Sequence, residues 1–358
     1  MKIVYSDDQR LHAPRYQMSA GDMSPCFEKP SRADMVLERV RSQNFGEVVG
    51  VQRYSLDHIT RVHSESYVNF LQNCWCLWEK KFGPEKDAMP EVFPHRGMRQ
   101  YEPESIEAKL GYYAFDVCVG ITSGSWTAIK TAADVALTGV DIIADGERSA
   151  FSLCRPPGHH ASEDLMGGYC YINNAAVAAQ ALRDKGFNKV AILDVDYHHG
   201  NGTQSIFYAR DDIYFASIHG DPEHEYPYYL GYADETGEAA GAGYNLNLPL
   251  PLGTTDWGNY KEALNQCMQA IKDFGADVIV VSLGLDTFEN DPISSFKIRS
   301  DEFFEMGALI EAAVLPTLFV FEGGYGLEAL GVNAVNVLQG FERSPSTRRE
   351  FCSRSRSG

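Results

Sequence analysis

The sequence predicts an α/β protein: one mostly parallel sheet with helices on both faces. Three observations carry that reading. Short apolar runs alternate along the chain with longer stretches of helical periodicity. Runs such as Val190-Ala191-Ile192-Leu193 and Val278-Ile279-Val280-Val281 are apolar at every position, as strands covered on both sides must be. Polar residues crowd directly after those runs, at the carboxyl edge where open α/β sheets hold their ligands.

Taken in order, strand-like runs fall near residues 2–5, 149–154, 189–194, 213–217, 277–283 and 316–321. Helical patterns fall near 31–43, 105–137, 173–185, 257–273, 301–314 and 327–339. The chain has 358 residues and 44% hydrophobic content, ample for a core, and no linker interrupts it. One domain is therefore expected over residues 1–342, with a loop insertion at about 80–104 that holds Pro84, Pro90, Pro94 and Pro103. The tail 343–358 is rich in Ser and Arg and is expected to be disordered. No internal repeat is present.

Composition excludes several classes. With 31 basic and 49 acidic residues the net charge is −18, which argues against nucleic acid as a partner. An acidic surface attracts small cations instead. No run approaches a membrane span, and Met1-Lys2-Ile3-Val4 starts as a strand rather than a signal peptide. The eight cysteines form no C-x-x-C pair and no zinc-ribbon spacing. Reduced packing cysteines in a cytoplasmic enzyme are expected.

The segment Asp194-Val195-Asp196-Tyr197-His198-His199-Gly200-Asn201 says most about chemistry. Asp196 and His198 alternate by two, so in extended chain both side chains share a face. Asp286 follows another buried-strand run and falls at the same sheet edge. Two carboxylates and one imidazole leave positions open for water and substrate, the mark of a catalytic metal site. Taken alone, an aspartate after a strand more often caps a helix or shapes a turn. Upstream, His159 and His160 follow a loop set by Arg155-Pro156-Pro157-Gly158, and two imidazoles can divide proton work. Downstream, Gly323-Gly324-Tyr325 offers close backbone approach and a hydroxyl for a developing oxyanion.

These motifs, in this order, resemble the arginase–deacetylase superfamily, within its metal-dependent deacetylases. The carrying segments are Arg155–His160, Gly168–Asn174, Asp194–Asn201 and Glu322–Tyr325. The segments 200–204, 217–222, 231–237 and 286–292 are similar to those of the bacterial acetylpolyamine amidohydrolases. The resemblance implies a single-domain fold with a sheet of about eight strands. It implies Asp196, His198 and Asp286 as ligands of Zn2+, though Fe2+ or Co2+ also suits one imidazole with two carboxylates. His160 would be the general base and His159 the electrostatic or acid partner. Tyr325 would bind the amide oxygen, Asp194 would orient His159, and Asn201 would partner His160. Asp194 and Ser217 match a structural K+ site. Gly168, Tyr169, Tyr226 and Phe288 would line the substrate channel, and Glu107 would meet a distal ammonium. The 80–104 insertion would form a homodimer and narrow the channel. The implied activity is hydrolysis of acetylpolyamines in a bacterial cytoplasm, with protein acetyl-lysine as the alternative substrate. Arginase-like ureohydrolysis would need more bridging carboxylates, and a non-catalytic module would be expected to lack one of these residues.

Overall fold

A computed structural model describes residues 1–19 and 21–343, with the Arg343 side chain outside that description. The expected disordered tail, apart from the helical backbone of residue 343, lies outside the described residues. In chain order the strands are β1 (Lys2–Val4), β2 (Tyr16–Ser19), β3 (Asp22–Pro25), β4 (Glu47–Val49), β5 (Ser149–Ser152), β6 (Val190–Asp194), β7 (Ile213–Gly220), β8 (Asn245–Leu250), β9 (Val278–Leu283) and β10 (Thr317–Phe321). The α-helices are α1 (Ser31–Ser42), α2 (Glu65–Phe82), α3 (Ile106–Tyr112), α4 (Ser125–Ala144), α5 (Asn174–Asp184), α6 (Asn201–Phe207), α7 (Trp257–Phe274), α8 (Glu302–Glu311) and α9 (Leu327–Arg343).

Eight strands form one sheet in the order β4-β1-β5-β10-β9-β6-β7-β8, and all its pairings are parallel. β2 and β3 pair as a separate antiparallel hairpin. Side chains alternate across the sheet, so each apolar strand feeds two cores. Val190, Ile192, Val278, Val280, Leu318 and Val320 pack on one side with residues of α2, α4 and α5. Ala191, Leu193, Ile279, Val281, Phe319 and Phe321 pack on the other with α1, α7, α8 and α9. Burial on both faces explains why these strands read as unbroken apolar runs.

The structure corrects the helix expected over 105–137. Two helices replace it, with residues 113–124 between them. Asp116 accepts the Cys118 N–H at 2.9 Å, and Ser125 Oγ accepts the Thr122 N–H at 2.8 Å. Such short side-chain bonds compete with the helical ladder. Helix α2 has no counterpart among the expected helices. It starts at Ser64, whose hydroxyl accepts the Tyr67 N–H, and buries Tyr67, Phe70, Leu71, Cys74 and Trp78. The irregular stretch between α2 and α3 covers the expected insertion except residues 80–82, which continue α2. It is pinned where Trp78 Nε1 donates to the Lys86 carbonyl at 2.9 Å and where Ala88 bridges Ile121. No helix among the described residues is long and apolar enough to cross a membrane. Seven cysteines are described, all as free thiols.

Candidate active site

Four adjacent strands at the middle of the sheet, β5, β10, β9 and β6, supply the chemistry from their carboxyl ends. The chain after β6 presents Asp196 and His198, and the chain after β9 presents Asp286. Their ligand atoms all lie within 4.8 Å of one another, and all three residues are buried. Asp196 and Asp286 are aimed by backbone donors. Asp196 Oδ1 accepts the His198 N–H at 3.0 Å and its Oδ2 the Gly323 N–H at 2.9 Å. Asp286 Oδ1 accepts the Tyr197 N–H at 2.8 Å.

These three residues suit a divalent cation. A Cβ placed on Gly323 would lie 2.6 Å from both Asp196 Oδ2 and Asp286 Oδ2, so the glycine keeps the cradle open. Burial and the neighbouring Asp196 charge push Asp286 up to about 7. Burial opposes charge on His198, yet Asp196 and Asp286 raise its pKa well above the usual imidazole range. Both shifts draw protons into the space between the groups. A divalent ion would displace them, since metal ligands bind deprotonated.

The loop after β5 presents His159 and His160 side by side, ring centroids 4.0 Å apart. Their environments drive them to opposite protonation states. Burial opposes charge on His159, but Asp196 and Asp194 together push it up to about 10. Asp194 Oδ2 lies 3.0 Å from its Nδ1. Burial and the His159 and His198 charges hold His160 well below the usual imidazole range. His160 Nδ1 lies 2.7 Å from Asn201 Oδ1, and Asn201 Nδ2 donates to the His160 carbonyl at 3.3 Å. That second bond fixes the amide, so its oxygen accepts from Nδ1–H. A neutral His160 then keeps a free lone pair on Nε2.

Tyr325 follows β10 in the turn that begins at Glu322. Asp291 Oδ2 accepts the Tyr325 N–H at 2.6 Å and the Gly326 N–H at 2.9 Å, which holds that turn. His159, His160, Gly168, Tyr169, His198, Tyr226 and Tyr325 line one cavity of about 190 Å³. Gly168 has φ +52°, and a Cβ there would meet His160 Cδ2 at 2.3 Å. Only glycine lets the backbone pass so near the imidazole.

The remaining expected residues separate. Ser217 pairs in register with Asp194, and its hydroxyl bonds His219 Nδ1 at 2.8 Å. Phe288 packs against the core on the α7 side and is not among the residues lining the cavity. Glu107 also lies outside the cavity lining and forms an ion pair with Lys81.

Several contributors have no role in the sequence reading. Glu322 Oε2 accepts the Gly158 N–H at 2.6 Å and the His159 N–H at 3.2 Å, tying the histidine loop to β10. Burial pushes Glu322 up to about 7. Gln17, Met18 and Ser19 bring the β2–β3 hairpin to the cavity, and Asp116 and Glu225 line it as well. Glu322 and Asp291 lie inside segments the sequence reading singled out. Of the other five, Gln17, Met18 and Ser19 belong to the β2–β3 hairpin, and Asp116 and Glu225 to loops outside the named strands and helices.

A family model described as the histone deacetylase domain matches residues 26–341. The chain is similar to acetylpolyamine amidohydrolase 2 of Pseudomonas aeruginosa, 56% identical over 342 residues, with 96% of this chain and 99% of the relative covered. It is 48% identical over 342 residues to the acetylpolyamine amidohydrolase of Mycoplana ramosa, with 95% and 99% covered. A crystal structure of acetylpolyamine aminohydrolase from Burkholderia pseudomallei matches with a TM-score of 0.92 at 37% identity, covering 96% of this chain and 99% of that one. The chain therefore belongs to the histone deacetylase domain family, among its acetylpolyamine amidohydrolases.

Proposed function

We propose that this protein hydrolyses the acetyl amide of acetylated polyamines, giving the free amine and acetate. One observation carries the reading: two histidines of opposite protonation preference and a tyrosine line one cavity, together with His198 of the buried Asp-His-Asp set. The names of its relatives support the polyamine substrate over acetyl-lysine in proteins.

Asp196, His198 and Asp286 would hold the ion, with Zn2+ as the first choice and Fe2+ or Co2+ acceptable to the same donors. Such an ion, when bound, polarises an amide carbonyl and acidifies a water. The chain's own residues do the rest. His160 takes a proton from the attacking water at Nε2. Tyr325 donates its hydroxyl to the amide oxygen as negative charge gathers there. His159, kept cationic by Asp196 and Asp194, gives its proton to the departing nitrogen, and the proton held by His160 makes up that loss. Asn201 stabilises a neutral His160 better than a carboxylate would, because an amide adds no negative charge.

Three finer expectations join this proposal. Asp194 and Ser217 would contribute to a structural K+ site. The insertion at about 80–104 would pair two copies, supported by the exposed side chains of Val92, Met98 and Tyr101. The enzyme would work in a bacterial cytoplasm. Steady-state rates on acetylputrescine, acetylcadaverine, acetylspermidine and an acetyl-lysine peptide test the substrate. The acetylated diamines and spermidine should exceed the peptide in kcat/KM. A peptide turned over faster than all of them would overturn the polyamine reading.

A further inference from the structure

Two carboxylates outside the proposed ligand set line the cavity, Asp116 and Glu225, and no lysine or arginine joins them in the lining. Asp116 is committed to the protein itself. Its Oδ1 accepts the Cys118 N–H at 2.9 Å, and its Oδ2 accepts the Gly168 N–H at 2.8 Å and the Tyr226 hydroxyl at 2.7 Å. It shapes the wall rather than offering an open acceptor.

Glu225 is built differently. Its Oε1 accepts the Tyr226 N–H at 3.0 Å and its Oε2 the Tyr197 hydroxyl at 2.7 Å. Each carboxylate oxygen can accept more than one hydrogen bond, so both keep room for another donor. Among the described residues no lysine, arginine or histidine forms an ion pair with it. The Tyr197 hydroxyl also bonds Ser295 Oγ at 2.8 Å, which steadies that anchor. The side chain is half-buried. Next to it in the chain, the Tyr226 ring stands 5.0 Å from the His160 ring and 6.0 Å from the His198 ring. A slender substrate leaving the catalytic histidines along Tyr226 therefore passes Glu225.

We propose that Glu225 receives the distal ammonium of the substrate and sets the preference for cationic amides. The inference rests on the acetylpolyamine reading and deepens it. An ammonium brings several N–H donors to a carboxylate with spare lone pairs and no competing cation. Partial burial makes the attraction stronger than at an open surface. The Tyr226 and Tyr169 rings add faces that favour a cation. Glu107 is less suited, since Lys81 already neutralises it outside the cavity.

The test compares N-acetylputrescine with N-pentylacetamide, which carries a methyl group where the ammonium would be. The readout is the ratio of their kcat/KM values in the metal-loaded enzyme and in Glu225→Gln. Wild type should favour the cation by roughly tenfold or more, and Glu225→Gln should lose most of that preference through a higher KM for the cation. A wild-type preference that survives in Glu225→Gln overturns the Glu225 assignment alone. Equal losses on both amides leave the ratio intact and overturn it too. A wild type that does not favour the cation overturns the polyamine reading and Glu225's role with it.

Discussion

At the inner end of the cavity, His159, His160, Asp196, His198 and Asp286 are all buried. Each imidazole or carboxylate there has a partner delivered by a neighbouring central strand or the loop after it. The connection between α2 and α3 contrasts with this, leaving Val92 67%, Met98 56% and Tyr101 57% exposed. The difference lies in how each region is held. The inner residues are fixed by four parallel strands in register, so a small displacement breaks several buried bonds at once. The outer stretch is tied down by few contacts, among them the partly exposed ion pair Lys109–Glu102, which tolerates change. The inner end carries the chemistry, and the outer connection can vary without disturbing it.

The contrast breaks first at the ligand set. Asp196→Ala leaves one imidazole and one carboxylate, too few for a tight site. Metal analysis of the purified variant should find little ion, and activity should fall to background. Full metal content with full activity would remove Asp196 from the set.

Tyr325→Phe comes next. One donor to a developing oxyanion is worth roughly 10²–10³ in kcat. That loss should come with little change in KM, because the hydroxyl matters most as charge forms. Near wild-type turnover would leave Tyr325 as lining only.

Glu322→Ala sharpens the comparison, because Glu322 acts through the histidine loop. Losing two buried acceptor bonds should lower kcat by roughly 10–100-fold, in line with other residues that orient catalytic groups. Glu322→Gln retains an acceptor oxygen and should recover most of the loss. An alanine variant as active as wild type would mean the loop holds itself.

The smallest effects belong outside. Glu107→Gln should change the preference for cationic amides less than Glu225→Gln does, since an exposed pair contributes only about 0–1 kcal/mol. A larger effect at Glu107 would show that an outer residue governs recognition. Met98→Glu should shift light scattering toward the monomer while leaving the fold intact. An unchanged mass would place any dimer contact elsewhere.

The central strands and their trailing motifs were legible because a strand buried on both faces cannot hide its composition. A cluster such as Asp194-Val195-Asp196-Tyr197-His198-His199 directly after it has few structural excuses, because charged residues are rarely buried without partners. Helix α2 is absent from the sequence reading although Tyr67, Phe70, Leu71, Cys74 and Trp78 recur at helical spacing and all face the core. That omission had a consequence. Lys81 lies at the end of α2, so the partner that occupies Glu107 was invisible. Glu225 and Asp116 could not be found by periodicity either. Their places depend on how 221–244 and 113–124 fold over the sheet edge, and only tertiary structure settles that.

The central claim, that four strand ends build one metal-dependent hydrolytic site, is tested most directly by titrating the metal. A chelator-stripped sample should be inactive on N-acetylputrescine. Activity should return in proportion to added Zn2+ and saturate at one ion per chain, while Asp196→Ala gains nothing from the same addition. Undiminished turnover by the stripped protein, or recovery of Asp196→Ala alongside wild type, would contradict the account.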